Sequence, residues 1–231
     1  MVFFSLEAGV EQVARRCQVS GTRLALEEVD PDYEPGAVIP DGAWRDLDPL
    51  HARLLCTERD VRRAVRIVSA ADVPGTAPFA KDATYLGTVT SGADALTTTI
   101  NNASGQRLGL HVDNWDRLTC RHRVESRLRL CINLGPAPRW LLVGDIDGVA
   151  ICSELYPREY ADRTPHTDDV RAFVKNGHAL GCLRIRLEPG EGYIAPTELM
   201  VHDGSTAGTA GPSEAAFWLG HIPQGAFQPV W

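Results

Sequence analysis

The interpretation of this chain starts from one stretch, Gly109-Leu110-His111-Val112-Asp113-Asn114-Trp115. The stretch predicts a short β-strand, in which side chains alternate between two faces, so that His111 and Asp113 project from the same face. An imidazole beside a carboxylate supplies two of the three ligands of a 2-His-1-carboxylate site, the set that binds non-haem iron(II). The third ligand is expected to be a histidine on a neighbouring strand. His202, in Met200-Val201-His202-Asp203-Gly204-Ser205, is the candidate.

A second His-x-Asp motif, His166-Thr167-Asp168, shows that the spacing alone has little specificity. Thr167 or Asp168 is expected to be the N-cap of a short helix, because acidic residues and then an apolar run follow. His166 is therefore predicted to lie in an exposed loop and to bind no metal. The motif at His111 differs because it has a strand pattern and a distal histidine partner.

Length, composition and charge exclude several classes of protein. A chain of 231 residues with 44% hydrophobic and 23% charged residues predicts a single domain over 1–231 with a sizeable core. The net charge of −7 argues against a nucleic-acid partner, and the absence of an 18-residue apolar run argues against a membrane span. The apolar start, Met1–Leu6, lacks the basic region and the length of a signal peptide.

Cysteine usage points to a reducing compartment. The six cysteines include no Cys-x-x-Cys pair, so a structural zinc site is not expected. Several of them lie in apolar strand patterns, where a reduced thiol behaves as a small buried hydrophobe. A cytoplasmic location is therefore expected.

Hydrophobic periodicity changes near residue 84. Before it, an N-terminal helical layer over about 1–80 is predicted, with helices at about Leu6–Cys17 and Thr57–Ala70 and a surface loop at Glu28–Asp48. From about 84 to 231 a period of two predicts a sandwich or jelly-roll core, with an insertion carrying one short helix at Tyr156–Gly181. The predicted strands are Tyr85–Val89, Leu96–Asn101, Arg107–Asp113, Arg127–Leu134, Trp140–Asp145, Leu183–Leu187, Glu191–Ala195 and Phe217–His221.

The C-terminal half, from about Arg107 to His221, resembles the Fe(II)/2-oxoglutarate-dependent oxygenases of the cupin superfamily. In that family a hairpin leads into a strand ending in proline, and the distal metal histidine follows. Here the hairpin segment is Glu188-Pro189-Gly190-Glu191-Gly192-Tyr193-Ile194-Ala195-Pro196, and His202 comes six positions after its proline. The resemblance implies a mainly β fold with flanking helices, a double-stranded β-helix (jelly roll, cupin-like). It also implies that His111, Asp113 and His202 bind Fe(II).

The resemblance further implies a basic anchor for the cosubstrate 2-oxoglutarate. Many members carry an arginine about ten residues after the distal histidine, but this chain has no Lys or Arg after Arg186. The JmjC-like branch, which includes the asparaginyl hydroxylase of hypoxia-inducible factor, carries its basic residue on another strand, and there Arg139 has the anchoring place. Arg127 and Arg129 compete for the role on a strand face shared with Asn133. Arg129 and Asn133 are kept as further candidate cosubstrate contacts.

The activity that the resemblance implies is an O2-dependent hydroxylation of a small molecule or of an amino-acid or peptide derivative. Asp113 favours hydroxylation, desaturation or cyclisation, because halogenating relatives usually carry Gly or Ala in that place. Two alternatives remain open. One is a cupin metalloenzyme that does not use 2-oxoglutarate, such as a dioxygenase or isomerase. The other is a non-catalytic jelly-roll binding module in which His111 and His202 are core polar groups. The oligomeric state is not predicted.

Overall fold

Two β-sheets form most of the protein in the computed structural model, which describes residues 3–4, 9–56, 62–72, 82–223 and 227. The helices are α1 (Val10–Arg16), α2 (Pro49–Leu55), α3 (Gly148–Leu155) and α4 (Thr167–Lys175). The strands are β1 (Phe3–Phe4), β2 (Cys17–Leu24), β3 (Val38–Pro40), β4 (Arg45–Asp46), β5 (Ala64–Ser69), β6 (Thr84–Ser91), β7 (Leu128–Pro136), β8 (Arg139–Asp147), β9 (Gly181–Leu187), β10 (Glu191–Ala195), β11 (Met200–Ser205) and β12 (Ser213–Gly220).

Consecutive strands of the chain often belong to different sheets. In the first sheet the strand order is β1-β5-β10-β7-β12-β6, and in the second it is β11-β8-β9-β2-β3, with β4 paired to β2. The described strand pairs are antiparallel except for β1, which runs parallel to β5. From β9 to β12 successive strands fall in the second, first, second and first sheet. The fold is thus mainly β, and this order is compatible with a jelly roll.

The main core lies between the two sheets. Val65 and Ile67 of β5, in the first sheet, share a buried cluster with Leu141 and Val143 of β8, in the second. All four side chains are at most 1% exposed, and burying an aliphatic side chain of this size contributes about 1.5–3 kcal/mol. The six cysteines are free and buried, which confirms the prediction made for several of them from their apolar strand patterns. None of the helices in the described ranges is long and apolar enough to cross a membrane.

The predicted helix Thr57–Ala70 is wrong over its described part. Residues 64–69 form β5 inside the first sheet, whereas 57–61 lie outside the described residues. Ala64 to Val68 are all buried, so the run is covered on both faces of the sheet. A run that is apolar except for Arg66 satisfies helical spacing and a buried strand equally well, and its β-branched content favours the strand. The N-terminal region is therefore not the helical layer that was predicted, although α1 lies within the predicted Leu6–Cys17.

Six of the predicted strands are confirmed as β6, β7, β8, β9, β10 and β12, with small shifts of their ends. Leu96–Asn101 and Arg107–Asp113 are wrong as regular strands, because they form only isolated bridges. The predicted loop Glu28–Asp48 contains β3 and β4. A helix that was not predicted, α3, begins after Asp147, whose carboxylate accepts a hydrogen bond from the Ala150 amide at 2.9 Å.

The predicted short helix of the insertion is α4, and its N-cap differs from the prediction. His166, and not Thr167 or Asp168, is the N-cap, and Asp169 completes a capping box with it. The His166 side chain is 62% exposed, in agreement with the prediction that it lies on the surface.

Candidate metal centre

Three predicted ligands meet at one place in the structure. The donor atoms of His111, Asp113 and His202 all lie within 4.8 Å of one another. The backbone joins two of these residues, because His111 N donates to His202 O at 3.0 Å and His202 N donates to His111 O at 2.8 Å. This pairing places the two imidazole rings side by side, with centroids 4.5 Å apart. The prediction that His202 lies on a neighbouring strand is confirmed.

The segment that carries His111 and Asp113 is held by single contacts and not by a ladder. Gly109 has φ +70°, and a Cβ there would lie 2.4 Å from the carbonyl oxygen of Val38. Glycine is therefore required at this close approach, because other residues rarely adopt this left-handed conformation. Beyond it Leu110 and Val112 point into the core, while His111 and Asp113 point to the site.

Both imidazoles are oriented by backbone carbonyls. Nδ1 of His111 lies 2.9 Å from the oxygen of Gly109, and Nδ1 of His202 lies 3.1 Å from the oxygen of Met200. A carbonyl oxygen only accepts hydrogen bonds, so each ring carries its proton on Nδ1 and leaves the Nε2 lone pair available to a metal. Burial lowers the pKa of His202 to about 4, which keeps this imidazole neutral near pH 7.

Asp113 is the anionic member of the three candidate ligands. Burial alone raises the pKa of Asp113, but the Arg129 guanidinium and the two imidazoles outweigh it and hold that pKa well below the usual range. Nη2 of Arg129 lies 2.5 Å from Oδ2 of Asp113, and Nε2 of His202 lies 3.6 Å from the same oxygen. This buried oxygen accepts no well-aligned hydrogen bond from the described residues.

Asp203 is a site residue that the sequence analysis did not single out. Its Oδ1 accepts hydrogen bonds from Thr99 N at 3.1 Å and Thr99 Oγ1 at 2.8 Å. Its buried Oδ2 lies 3.7 Å from Nδ1 of His111. Burial lowers the pKa of His111, but Asp203 and Asp113 outweigh it and raise that pKa. A carboxylate behind a ligating imidazole increases its basicity.

A buried ion pair braces the chain just after Asp113. Arg123 and Glu198 are both fully buried, and Nη1 of Arg123 lies 3.2 Å from Oε2 of Glu198. The same guanidinium donates to the carbonyl oxygens of Asp113 and Leu118, and Glu198 Oε1 accepts from the amide of Asp116 at 2.7 Å. The pair therefore links the segment that follows Asp113 to the loop before β11. His202, another candidate ligand, lies in β11.

A cavity of about 550 Å³ opens beside the three ligands. Arg139 and Arg129, both predicted to contact the cosubstrate, line it. Arg139 is 4% exposed, and its Nη1 has no hydrogen-bond partner among the described residues. A Cβ on Gly204 would lie 2.7 Å from Nη2 of Arg139, so glycine at this position leaves the guanidinium its space. An unpaired buried guanidinium is costly, and its place in the cavity indicates an anionic ligand.

No protein-family model and no curated protein matches the sequence. Function is therefore argued from the geometry of the centre.

The other predicted cosubstrate contact, Asn133, is not brought to the cavity. Its Nδ2 donates to the carbonyl oxygens of Ala137 at 3.1 Å and Leu187 at 3.2 Å, and its Oδ1 accepts from Gly135 N and Ser213 Oγ, both at 3.0 Å. These bonds hold the turn between β7 and β8. Its amide is thus fully used inside the protein.

Arg127, the remaining competitor for the anchor, also lies outside the cavity lining. Its guanidinium is bound by Asp116, with Nε 2.8 Å and Nη2 2.5 Å from Oδ1 of that residue. The structure therefore brings Arg129 and Arg139 together with the three candidate ligands.

Proposed function

We propose that this chain is an Fe(II)- and 2-oxoglutarate-dependent oxygenase that hydroxylates a small molecule. The observation that carries the proposal is the unpartnered Nη1 of Arg139, buried in the same cavity as His111, Asp113 and His202. Two imidazoles and one carboxylate fit iron(II) and leave open coordination positions. The double-stranded β-helix and the JmjC-like position of the anchor are parts of this proposal, and the strand order is compatible with them.

The residues around the centre have distinct tasks. Iron(II) with 2-oxoglutarate and O2 supplies an oxidative decarboxylation, in which one oxygen atom enters succinate and the other enters the substrate. His111, Asp113 and His202 hold the metal, and the backbone carbonyls behind the two imidazoles fix their orientation. Arg129 balances the charge of Asp113, and Arg139 binds the distant carboxylate of the cosubstrate through a planar fork.

The anchor separates this function from the two alternatives. A cupin enzyme that does not use 2-oxoglutarate has no need for a buried unpaired arginine beside its metal. A binding module in which His111 and His202 are core polar groups has no need for two Nε2 atoms and a carboxylate oxygen facing the same space. In either alternative, burying these polar groups would cost desolvation free energy that no bound metal or cosubstrate offsets.

The test of the proposed function is done in two steps. Protein, Fe(II) and 2-oxoglutarate are first mixed without oxygen, and chelation of the metal by the 2-oxo acid is expected to give a visible charge-transfer band. Oxygen is then admitted, and succinate is expected to appear as 2-oxoglutarate is consumed. Iron binding without the band would favour a cupin enzyme of another kind. No iron binding would favour the binding module.

A further inference from the structure

The cavity beside the metal centre has a charge opposite to that of the whole protein. The chain has 30 acidic and 23 basic residues, yet the cavity walls carry three arginines, Arg107, Arg129 and Arg139, against one carboxylate, Asp113. Charges in a cleft with low-dielectric walls focus their field into it. A ligand that enters is therefore favoured if it is anionic and disfavoured if it is cationic.

Arg107 is the cavity arginine that has no assigned role. Arg129 forms an ion pair with Asp113, and Arg139 is the proposed anchor of the cosubstrate. Nη1 of Arg107 donates to the carbonyl oxygen of Thr97 at 2.7 Å, and its guanidinium carbon lies 5.9 Å from the centre of the Tyr33 ring. These contacts are neutral, and Arg107 forms no ion pair with a carboxylate of the described residues. Its positive charge is thus held in position without a counterion from the part of the chain that the structure describes.

Large apolar side chains line the same cavity and remain exposed. Val89 and Ile100 are each 53% exposed and Trp115 is 56% exposed. They come from β6, from the loop before Arg107 and from the residues after Asp113, so separate parts of the chain converge on one opening. Ile100 forms an antiparallel bridge with Arg107, which places an apolar side chain beside the free cation. Exposed apolar groups that gather at one cavity mark a binding site.

We propose that the substrate is a small apolar carboxylic acid. Its aliphatic or aromatic body packs against Val89, Ile100 and Trp115, and its carboxylate binds Arg107. A cavity of about 550 Å³ is in the size range of small-molecule sites. That this ligand is hydroxylated depends on the proposed function, whereas its binding does not.

The test compares three probes of equal size and different charge, 4-phenylbutyrate, 4-phenylbutyramide and 4-phenylbutylamine. Binding is measured by calorimetry with Mn(II) and 2-oxoglutarate present, so that the proposed 2-oxoglutarate site at Arg139 is already filled. The acid is expected to bind at least about tenfold more tightly than the amide, which corresponds to about 1.4 kcal/mol, and the amine to bind most weakly. Arg107→Gln is expected to reduce the acid to the level of the amide and to leave the Kd of 2-oxoglutarate unchanged.

Three further variants separate this inference from the proposed function. Arg107→Lys keeps the charge and is expected to keep a preference for the acid, and Arg15→Gln, on the exposed face of α1, is expected to change nothing. Arg139→Met is expected to weaken 2-oxoglutarate and to spare the acid preference. Equal binding of amine and acid, or an acid preference that survives Arg107→Gln, would overturn the substrate inference alone. A different result would overturn only the oxygenase: the protein fails to bind 2-oxoglutarate, but with Mn(II) alone it still prefers the acid, and this preference is lost in Arg107→Gln.

Discussion

Replacing Arg139 by methionine is expected to weaken the binding of 2-oxoglutarate by at least about a hundredfold. The guanidinium is buried, and its Nη1 has no partner in the described part of the chain, so the cosubstrate carboxylate would be its counterion. Removing one partner of a buried ion pair costs about 3–5 kcal/mol, and each 1.4 kcal/mol is a factor of ten. Methionine fills much of the same volume without charge. The Kd is measured from the charge-transfer band without oxygen, which does not require turnover.

Metal affinity provides the internal control for this prediction. Arg139 is not among the three ligands, so Arg139→Met is expected to bind Mn(II) as the unmodified protein does. Arg15→Met, on the surface of α1, is the matched control and should leave both constants unchanged. If Arg139→Met kept its Kd for 2-oxoglutarate while Arg129→Met lost it, the anchor would lie on β7. If both variants kept it, neither arginine would be the anchor.

Arg123→Met is expected to lower the free energy of unfolding by about 3–5 kcal/mol. The change leaves the Glu198 carboxylate fully buried without its counterion, and an unpaired buried charge is among the costliest defects in a protein. It also removes the donors to the carbonyl oxygens of Asp113 and Leu118. Urea unfolding followed by circular dichroism measures the effect.

A double-mutant cycle shows whether the pair itself is responsible. Adding Glu198→Met to Arg123→Met is expected to restore part of the loss, because both charges are then absent from the interior. The matched control is the exposed pair Arg121–Asp162, whose side chains are 58% and 81% exposed and 3.0 Å apart. Arg121→Met is expected to cost less than about 1 kcal/mol. A similar small loss for Arg123→Met would contradict the bracing role.

The meeting of His111, Asp113 and His202 was predictable because the metal-binding character of these side chains is visible in the sequence. Few roles other than metal binding use a His-x-Asp motif together with a later histidine. The alternation of side chains correctly placed Leu110 and Val112 in the core and His111 and Asp113 at the site. The segment itself is not a regular strand: His111 forms only an isolated bridge with His202, and Gly109 adopts a positive φ where it packs against Val38. That constraint comes from a residue about 70 positions earlier and leaves no local trace.

Features that depend on distant partners were missed. Glu198 lies 75 positions after Arg123, and neither residue belongs to a motif that shows they are buried together. β5 was predicted as a helix, since its apolar run carries no period that distinguishes a helix from a strand covered on both faces. Arg139 was reached only through the resemblance, because the sequence does not show which arginine lacks an internal partner.

The most direct test of the metal centre is the number of metal ions that each chain binds. Purified protein, stripped of metal and titrated with Mn(II) without oxygen, is expected to bind one ion per chain by electron paramagnetic resonance. His202→Ala is expected to bind none at the same concentrations, because it removes one of three ligands. His166→Ala, which alters the exposed His-x-Asp motif at the start of α4, is expected to bind one. Loss of the ion in His166→Ala with full binding in His202→Ala would contradict the account.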